Sequence, residues 1–306
     1  MPIDTDSTES RPLVTVGIPA YNEKRFIGQA IESVLAQTFT DFELLISDDA
    51  SSDGTAEICA ELAARDHRIR FVRQSRNLGP FLNLKYVTDH AAGALLVWLA
   101  HDDVLGSTYL EECVSQLKSR PHDVLVSTDF KIIDESGKLL CLESLASIRA
   151  DIPWKRRRAE FFRFPVYSNI FYSFYGMMRT DAGKRMFAAL KRPRYMSQIE
   201  LPVLARLATM GEIASFPSPS RYYRRVSTSL YHTEQRSMAR DSTLRRAAIQ
   251  AFHFGKLMAD QASVLLHSAL SARAKIGILL HLIYYYSVKC PVILARGKQA
   301  DRQEDV

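Results

Sequence analysis

The chain predicts an α/β fold: a mostly parallel sheet flanked by helices, followed by a helical C-terminal extension. Three observations carry that expectation. Short apolar runs alternate with segments of helical period through the first half, adjacent acidic residues close two of those runs, and everything beyond Ser237 reads as helix. A strand covered on both faces shows a continuous apolar run, and strands alternating with helices call for parallel pairing.

Taken in order, 13–18 reads as the first strand, and Phe26, Ile27, Ala30, Ile31, Val34 and Leu35 then recur at the spacing of one buried helical face. A second strand over 42–46 leads to Asp53, placed to cap a helix whose inward face includes Ile58 and Leu62. A third strand covers 69–72, and Asn77-Leu78-Gly79-Pro80 turns into a helix over 81–90. Strands over 95–99 and 124–126 follow. From about Asp134 the rhythm breaks into a turn at Glu135-Ser136-Gly137, a basic segment and an aromatic stretch over 161–175. A helix over 199–210, the stretch 212–216, Pro217, Pro219 and a short strand over 220–225 complete this half. The boundaries are a flexible terminus over 1–12, a main domain over 13–235 with halves 13–133 and 134–235, and the helical extension over 236–306.

With 306 residues and 47% hydrophobic content the chain buries a sizeable core, which excludes disorder and fibrous repeats. Cys59, Cys113, Cys141 and Cys290 lie far apart without paired spacing, so neither a zinc site nor a disulfide framework is expected and a reducing cytosol suits them. The stretch 1–11 is polar, and no secretory leader is expected from it. The net charge of +6 is unevenly placed. Lys155-Arg156-Arg157-Arg158, then Arg221, Arg224 and Arg225, then Arg245 and Arg246 suit phosphate-bearing ligands, an anionic membrane face, or simply a solvated surface. No basic-aromatic module speaks for a nucleic-acid partner.

The acidic pairs point to chemistry. Asp102 and Asp103 follow Ala94-Leu95-Leu96-Val97-Trp98-Leu99, and Asp48 and Asp49 close the second strand ahead of Ser51-Ser52-Asp53-Gly54-Thr55. Ligands of open α/β sheets gather beyond the carboxyl ends of strands, so both pairs fall on one edge, at an address for a nucleotide diphosphate and a metal. Solvated or helix-capping aspartates are the plainer alternative for either pair alone.

Val16-Gly17-Ile18-Pro19-Ala20-Tyr21-Asn22-Glu23, Ser33-Val34-Leu35-Ala36-Gln37-Thr38-Phe39 and Asp48-Asp49-Ala50-Ser51-Ser52-Asp53-Gly54-Thr55 together resemble the family 2 glycosyltransferases, which have the GT-A fold. Asn77-Leu78-Gly79 and Asp102-Asp103-Val104 extend the likeness, which covers roughly 13–231. The resemblance implies inverting transfer of a sugar from a nucleotide-sugar, UDP-linked in most of the family, to the hydroxyl of a saccharide or lipid-linked acceptor in surface polysaccharide or glycolipid assembly. Residues 13–133 become the nucleotide-sugar half and 134–235 the acceptor half.

By position, the resemblance puts Pro19, Ala20 and Tyr21 at the base and ribose and Glu23 in the nucleotide-sugar site, with Asp49 accepting from the base's ring N–H and Asp48 in support. It puts Asp102 on the nucleotide side and Asp103 on a divalent cation, Mg²⁺ or Mn²⁺, which oxygen ligands favour. Glu200 becomes the general base, a glutamate where relatives carry aspartate. Ala100 stands where many relatives place the first acid of Asp-X-Asp, and Val226 where they often carry a histidine, so Arg224 or Arg225 is expected to supply the positive charge near the diphosphate. His101 could reach the ion or remain a surface histidine.

Two rivals remain. A sugar-phosphate nucleotidyltransferase shares the sheet, nucleotide and metal but calls for a glycine-rich loop where Ile18-Pro19-Ala20-Tyr21-Asn22 stands. A non-catalytic nucleotide-sugar-binding scaffold is motivated by Ala100, Glu200 and Val226. The segment 276–294 is nearly the roughly 20 apolar residues that a span requires, but Lys289, Pro291 and Tyr284 to Tyr286 suit a helix in the membrane interface or packed on protein. The expected location is cytoplasmic, with peripheral contact at the cytosolic membrane face as the alternative.

Overall fold

Each apolar run of the first half becomes a strand: β1 (Val14–Ala20), β2 (Phe42–Asp48), β3 (Ile69–Arg73) and β4 (Leu95–Trp98), mutually parallel. The computed structural model describes residues 11–161, 169–188, 190 and 199–226, with a few positions between 271 and 279. Five further strands complete one sheet: β5 (Val104–Leu105), β6 (Asp123–Ile133), β7 (Leu139–Glu143), β8 (Met177–Arg179) and β9 (Glu212–Arg224). Their order is β3-β2-β1-β4-β8-β6-β9-β5, with β7 also on β6. Strand β8 is antiparallel to β4 and β6, and β9 is parallel to β6. The two sequence halves are therefore stitched into one sheet.

Alternation along the strands makes two cores. Leu96 and Trp98 face one layer, while Leu95, Val97 and Leu99 face the other. Helices α1 (Ile27–Leu35) and α4 (Tyr109–Ser119) cover the second face, and α3 (Pro80–Asp89), α6 (Thr180–Ala188) and α7 (Glu200–Leu207) the first. In α1 the expected stripe is buried at Ile27, Ala30, Ile31 and Val34. Helix α2 (Thr55–Ala63) differs from expectation: Thr55, Ala56 and Cys59 form its buried stripe, and Ile58 and Leu62 are only partly covered. Its cap position is Gly54, at φ 102°, so Asp53 reaches past it to accept the Thr55 N–H at 3.0 Å.

The stretch 212–216 and the expected short strand over 220–225 are one strand, β9, because register with β6 resumes after the prolines. Thr128 pairs with Phe216 and Phe130 with Arg221, so 217–220 bulge out opposite Asp129. Proline has no N–H for a ladder, and a bulge removes that demand. The basic segment is no uniform surface either. It lies on α5 (Trp154–Glu160), where Arg157 is buried, donates to Glu212 at 2.7 Å and lies 5.2 Å from the Trp154 ring.

The start of β4 is set by a close approach of chains. A Cβ on Gly93 would lie 2.6 Å from both Thr15 N and Val14 C, and the Gly93 N–H donates to Thr15 Oγ1 at 2.9 Å. Gly93→Ala is expected to cost about 1–3 kcal/mol, the usual range for overpacking. It should appear as a lower denaturation midpoint at unchanged m-value, and a midpoint equal to wild type would show that β1 yields freely.

Among the described residues no helix is long and apolar enough to cross a membrane. Of the segment 276–294, Ile276 and Leu279 are described, 57% and 40% exposed, and the remainder lies outside the described residues with 1–10 and 227–270.

Candidate active site

The carboxyl ends of β1 and β2 meet as two interlocked turns. Asn22 (φ 48°) and Ala50 (φ 60°) both adopt left-handed backbone. Asparagine tolerates that conformation, whereas an alanine held there costs about 1 kcal/mol or more. Reciprocal bonds hold the pair. The Asn22 N–H donates to Ser51 Oγ at 3.0 Å, and the Ser52 N–H returns to Asn22 Oδ1 at 2.9 Å. The Glu23 N–H donates to Thr55 Oγ1 at 2.9 Å and the Lys24 N–H to Asp53 Oδ2 at 3.0 Å. On this frame Pro19 is half-buried and Ala20 buried, while Tyr21 is 45% exposed. The Glu23 carboxylate lies 3.4 Å from Arg25.

Asp48 and Asp49 point to different partners. Asp49 accepts the Leu78 N–H at 2.6 Å and the Gly79 N–H at 2.9 Å, one on each oxygen, and so fixes the turn ahead of α3. Asp48 accepts the Ser51 N–H at 3.0 Å and faces Arg73 at 3.8 Å, with Oδ1 buried and unpaired. Asp49→Ala would leave two amides without their acceptor, at about 1–3 kcal/mol for each one kept from water. Amide exchange at Leu78 and Gly79 is expected to quicken, and unchanged protection would contradict the anchoring.

Beyond β4 the chain turns through Ala100, His101, Asp102 and Asp103. His101 Nδ1 lies 3.4 Å from the Tyr21 N–H, joining this turn to the one after β1. Asp102 is half-buried and keeps an open side. Asp103 is buried, with Oδ1 accepting the Arg224 N–H at 2.9 Å and Oδ2 unpaired, 3.7 Å from Arg221 Nη2. Burial pushes the Asp103 carboxyl well up from its usual range and the Asp102 charge adds to the rise, against the pull of Arg221 and the Arg224 N–H. Of the two neighbours, Asp102 is the more open carboxylate, whereas the expectation from sequence gave the metal to Asp103.

Arg224 also takes a different task from the expected contact with diphosphate. Its guanidinium donates to Asp102 O at 2.9 Å, Asp134 O at 3.3 Å, Glu135 O at 3.2 Å and Gln29 Oε1 at 2.8 Å. It is a brace under the acidic turn, and Arg225 is the exposed neighbour. Val226 is buried.

The second half approaches through a 3-10 segment, Asn169–Tyr175, and the start of α7, where Glu200 occupies the first turn. Burial raises the Tyr175 phenol, and the charges of Glu200, Asp103 and Asp102 raise it further while Arg221 opposes them. Acids from both halves thus act on one ring. The aromatic stretch divides: Phe161 and Phe174 belong to the core, with Phe174 4.8 Å from Trp98, while Phe171, Tyr172 and Tyr175 are partly open.

Among the described residues no three His, Cys, Asp or Glu side chains converge on a common point. Mg²⁺ asks for less, since it binds one or two carboxylates and completes its shell with water and substrate phosphate oxygens. The half-buried Asp102 fits that donor set as a single protein carboxylate, whereas Asp103 Oδ2 is buried against Arg221. Sequence reasoning missed Tyr175 and the central place of Arg221, for which Tyr222-Tyr223 set between arginines behind two prolines was the visible signal.

The sequence profile described as "Glycosyl transferase family 2" matches residues 15–182. The "Putative glycosyltransferase EpsE" of Bacillus subtilis (strain 168) is 33% identical over 129 residues, 42% of this chain and 46% of the relative. Escherichia coli "Chondroitin synthase" is 33% identical over 139 residues, 45% of this chain and 20% of the relative. The chain spans less than half the length of either. Two solved structures share the architecture. S. aureus TarS 1-349 in complex with UDP-GlcNAc aligns with a TM-score of 0.65 at 17% identity, over 89% of this chain and 72% of that one. The mannosyltransferase PcManGT from Pyrobaculum calidifontis, in complex with GDP-Man and Mn²⁺, aligns with a TM-score of 0.55 at 16% identity, over 95% and 81%. At such identity these likenesses establish the fold, GT-A. Since the matched profile covers more than half of the 306 residues, the chain belongs to glycosyl transferase family 2.

Proposed function

We propose that this chain transfers a sugar from a nucleotide-sugar, with UDP the first candidate nucleotide, to an acceptor hydroxyl, inverting the anomeric carbon. The observation that carries the reading is that Glu200, Asp103 and Asp102, from opposite halves of the sequence, all lie near enough for their charges to raise the Tyr175 phenol. Pro19, Ala20, Tyr21 and Glu23 offer the base and ribose a wall. Asp49, which uses one lone pair of each oxygen on the 78–79 turn, has others for the base's ring N–H. Asp102, braced by Arg224 through its carbonyl and half-buried, is the carboxylate assigned to the diphosphate. Glu200 takes the acceptor proton as the new C–O bond forms and the bond to the nucleoside diphosphate breaks, which requires base and leaving group on opposite faces of the sugar. Mg²⁺ or Mn²⁺, when bound at Asp102, would supply the positive charge that offsets the departing diphosphate.

TarS in complex with UDP-GlcNAc supports a uridine donor, and PcManGT with GDP-Man and Mn²⁺ keeps guanosine in the comparison. Chondroitin synthase among the relatives supports a saccharide acceptor and a place in polysaccharide or glycolipid assembly. Peripheral membrane contact through 276–294 is part of this reading and concerns residues outside those described. The test is thermal shift with UDP-, dTDP- and GDP-sugars, with and without Mn²⁺, followed by donor consumption. A UDP-sugar is expected to raise the melting temperature more with Mn²⁺ and to be turned over. Binding without turnover would favour the scaffold that Ala100, Glu200 and Val226 suggest.

A further inference from the structure

Arg221 is a buried cation that, among the described residues, faces one carboxylate, Asp103, at a distance longer than a hydrogen bond. Its side chain is 3% exposed, as is that of Asp103, the acid 3.7 Å away. Nη1 donates to Tyr175 O at 2.6 Å and Nη2 to Trp98 O at 3.0 Å, while Nε is buried and unpaired. The rings of Tyr175, Tyr223 and Tyr109 surround it at 5.0, 5.1 and 6.0 Å. The Tyr109 hydroxyl donates to the same Tyr175 carbonyl at 3.3 Å. Strand β9 delivers Arg221 here because its bulge ends at this residue, which pairs with Phe130 on one side and Leu105 on the other.

Those two carbonyls belong to different halves of the site. Trp98 ends β4, immediately before the turn that carries Asp102 and Asp103, and Tyr175 ends the 3-10 segment whose ring senses Glu200. A planar guanidinium with a fixed fork of donors can hold two carbonyls at a set separation, which a flexible ammonium cannot. We infer that Arg221 is a positioning residue that fixes the distance between the donor-side acids and the acceptor-side base, through Trp98 O and Tyr175 O. The inference rests on the proposed glycosyl transfer. Asp102 has its own brace in Arg224, so the donor half keeps its shape without Arg221. The role therefore concerns transfer, which needs both halves in register, more than donor binding or hydrolysis, in which small, mobile water replaces the acceptor.

The experiment uses the full chain with UDP-GlcNAc and Mn²⁺ as probes and a panel of para-nitrophenyl glycosides as acceptors. Hydrolysis and transfer are measured in parallel on wild type, Arg221→Lys, which keeps the charge beside Asp103, and Arg221→Gln, which keeps two N–H donors. Misplacement by about 1 Å can cost about 10²-fold, so transfer by Arg221→Lys should fall by roughly that factor. Hydrolysis and calorimetric UDP·Mn²⁺ affinity should stay within about threefold of wild type, a spread of less than about 1 kcal/mol. A purely structural arginine would lower both rates together by loss of folded protein. A transfer-to-hydrolysis ratio equal to wild type in the variants that fold therefore overturns the positioning role. Wild-type protein that neither hydrolyses nor transfers any donor in the UDP, dTDP and GDP panel overturns the glycosyltransferase reading, and this inference falls with it.

Discussion

Replacing Glu200 by glutamine is expected to lower turnover by about 10²–10⁴-fold, the usual contribution of a general base, while donor affinity stays close to wild type. The amide keeps the shape and hydrogen-bonding reach of the carboxylate and removes its capacity to take a proton. Glu200 lies in the first turn of α7, beside a 3-10 segment whose Tyr175 phenol is also raised by Asp103 and Asp102. The proposed function gives this carboxylate the attacking hydroxyl, and its charge reaches the same phenol as those of the donor-side acids. Equal loss of binding and turnover in Glu200→Gln would move Glu200 to donor recognition, and unchanged turnover would remove it from the mechanism.

Substitutions at Asp102 and Asp103 are expected to separate two tasks that adjacent residues share. Asp102 is half-buried with an open side, so Asp102→Asn should weaken Mn²⁺-dependent UDP binding while leaving stability near wild type. Contacts to a charged group contribute about 1.5–3 kcal/mol, which corresponds to roughly 10- to 10²-fold in affinity. Asp103 faces a buried arginine, and its Oδ1 holds the Arg224 N–H. Asp103→Asn keeps an oxygen for that N–H but leaves Arg221 uncompensated. Breaking a buried pair costs about 3–5 kcal/mol, and because these atoms stand 3.7 Å apart the loss should fall at the lower end. Chemical denaturation and calorimetry of both variants read the two effects separately. The opposite pattern, with Asp103→Asn stable and unable to bind UDP·Mn²⁺, would return the cation to Asp103.

The first half of the fold was legible because its strands are buried on both faces and so read as unbroken apolar runs, each ended by a turn with its own chemistry. Helix α4 shows its period at Tyr109, Leu110, Cys113, Val114 and Leu117, yet follows the acidic turn so closely that it escaped notice. Strand β8 has three residues, too few for a pattern, and is fixed by pairing with β4 and β6. The unity of β9 was hidden by Pro217 and Pro219, which normally argue against a strand and here lie in the bulge. In the site, sequence located the acidic pairs and the turns that hold them. It did not reveal which carboxylate opens outward, since that depends on partners distant in sequence: Leu78 and Gly79 on Asp49, Arg221 and Arg224 on Asp103. For the same reason Arg157 and Arg221, which read as surface charge, are interior.

In the proposed function, acids from both halves of the chain enclose one nucleoside diphosphate. A crystal structure with UDP and Mn²⁺, phased to show the manganese anomalous signal, tests it most directly. A manganese peak is expected against the Asp102 carboxylate, with the uracil beside Tyr21 and the diphosphate between Asp102 and Tyr175. Manganese bound away from Asp102, or UDP seated elsewhere on the sheet, would contradict it.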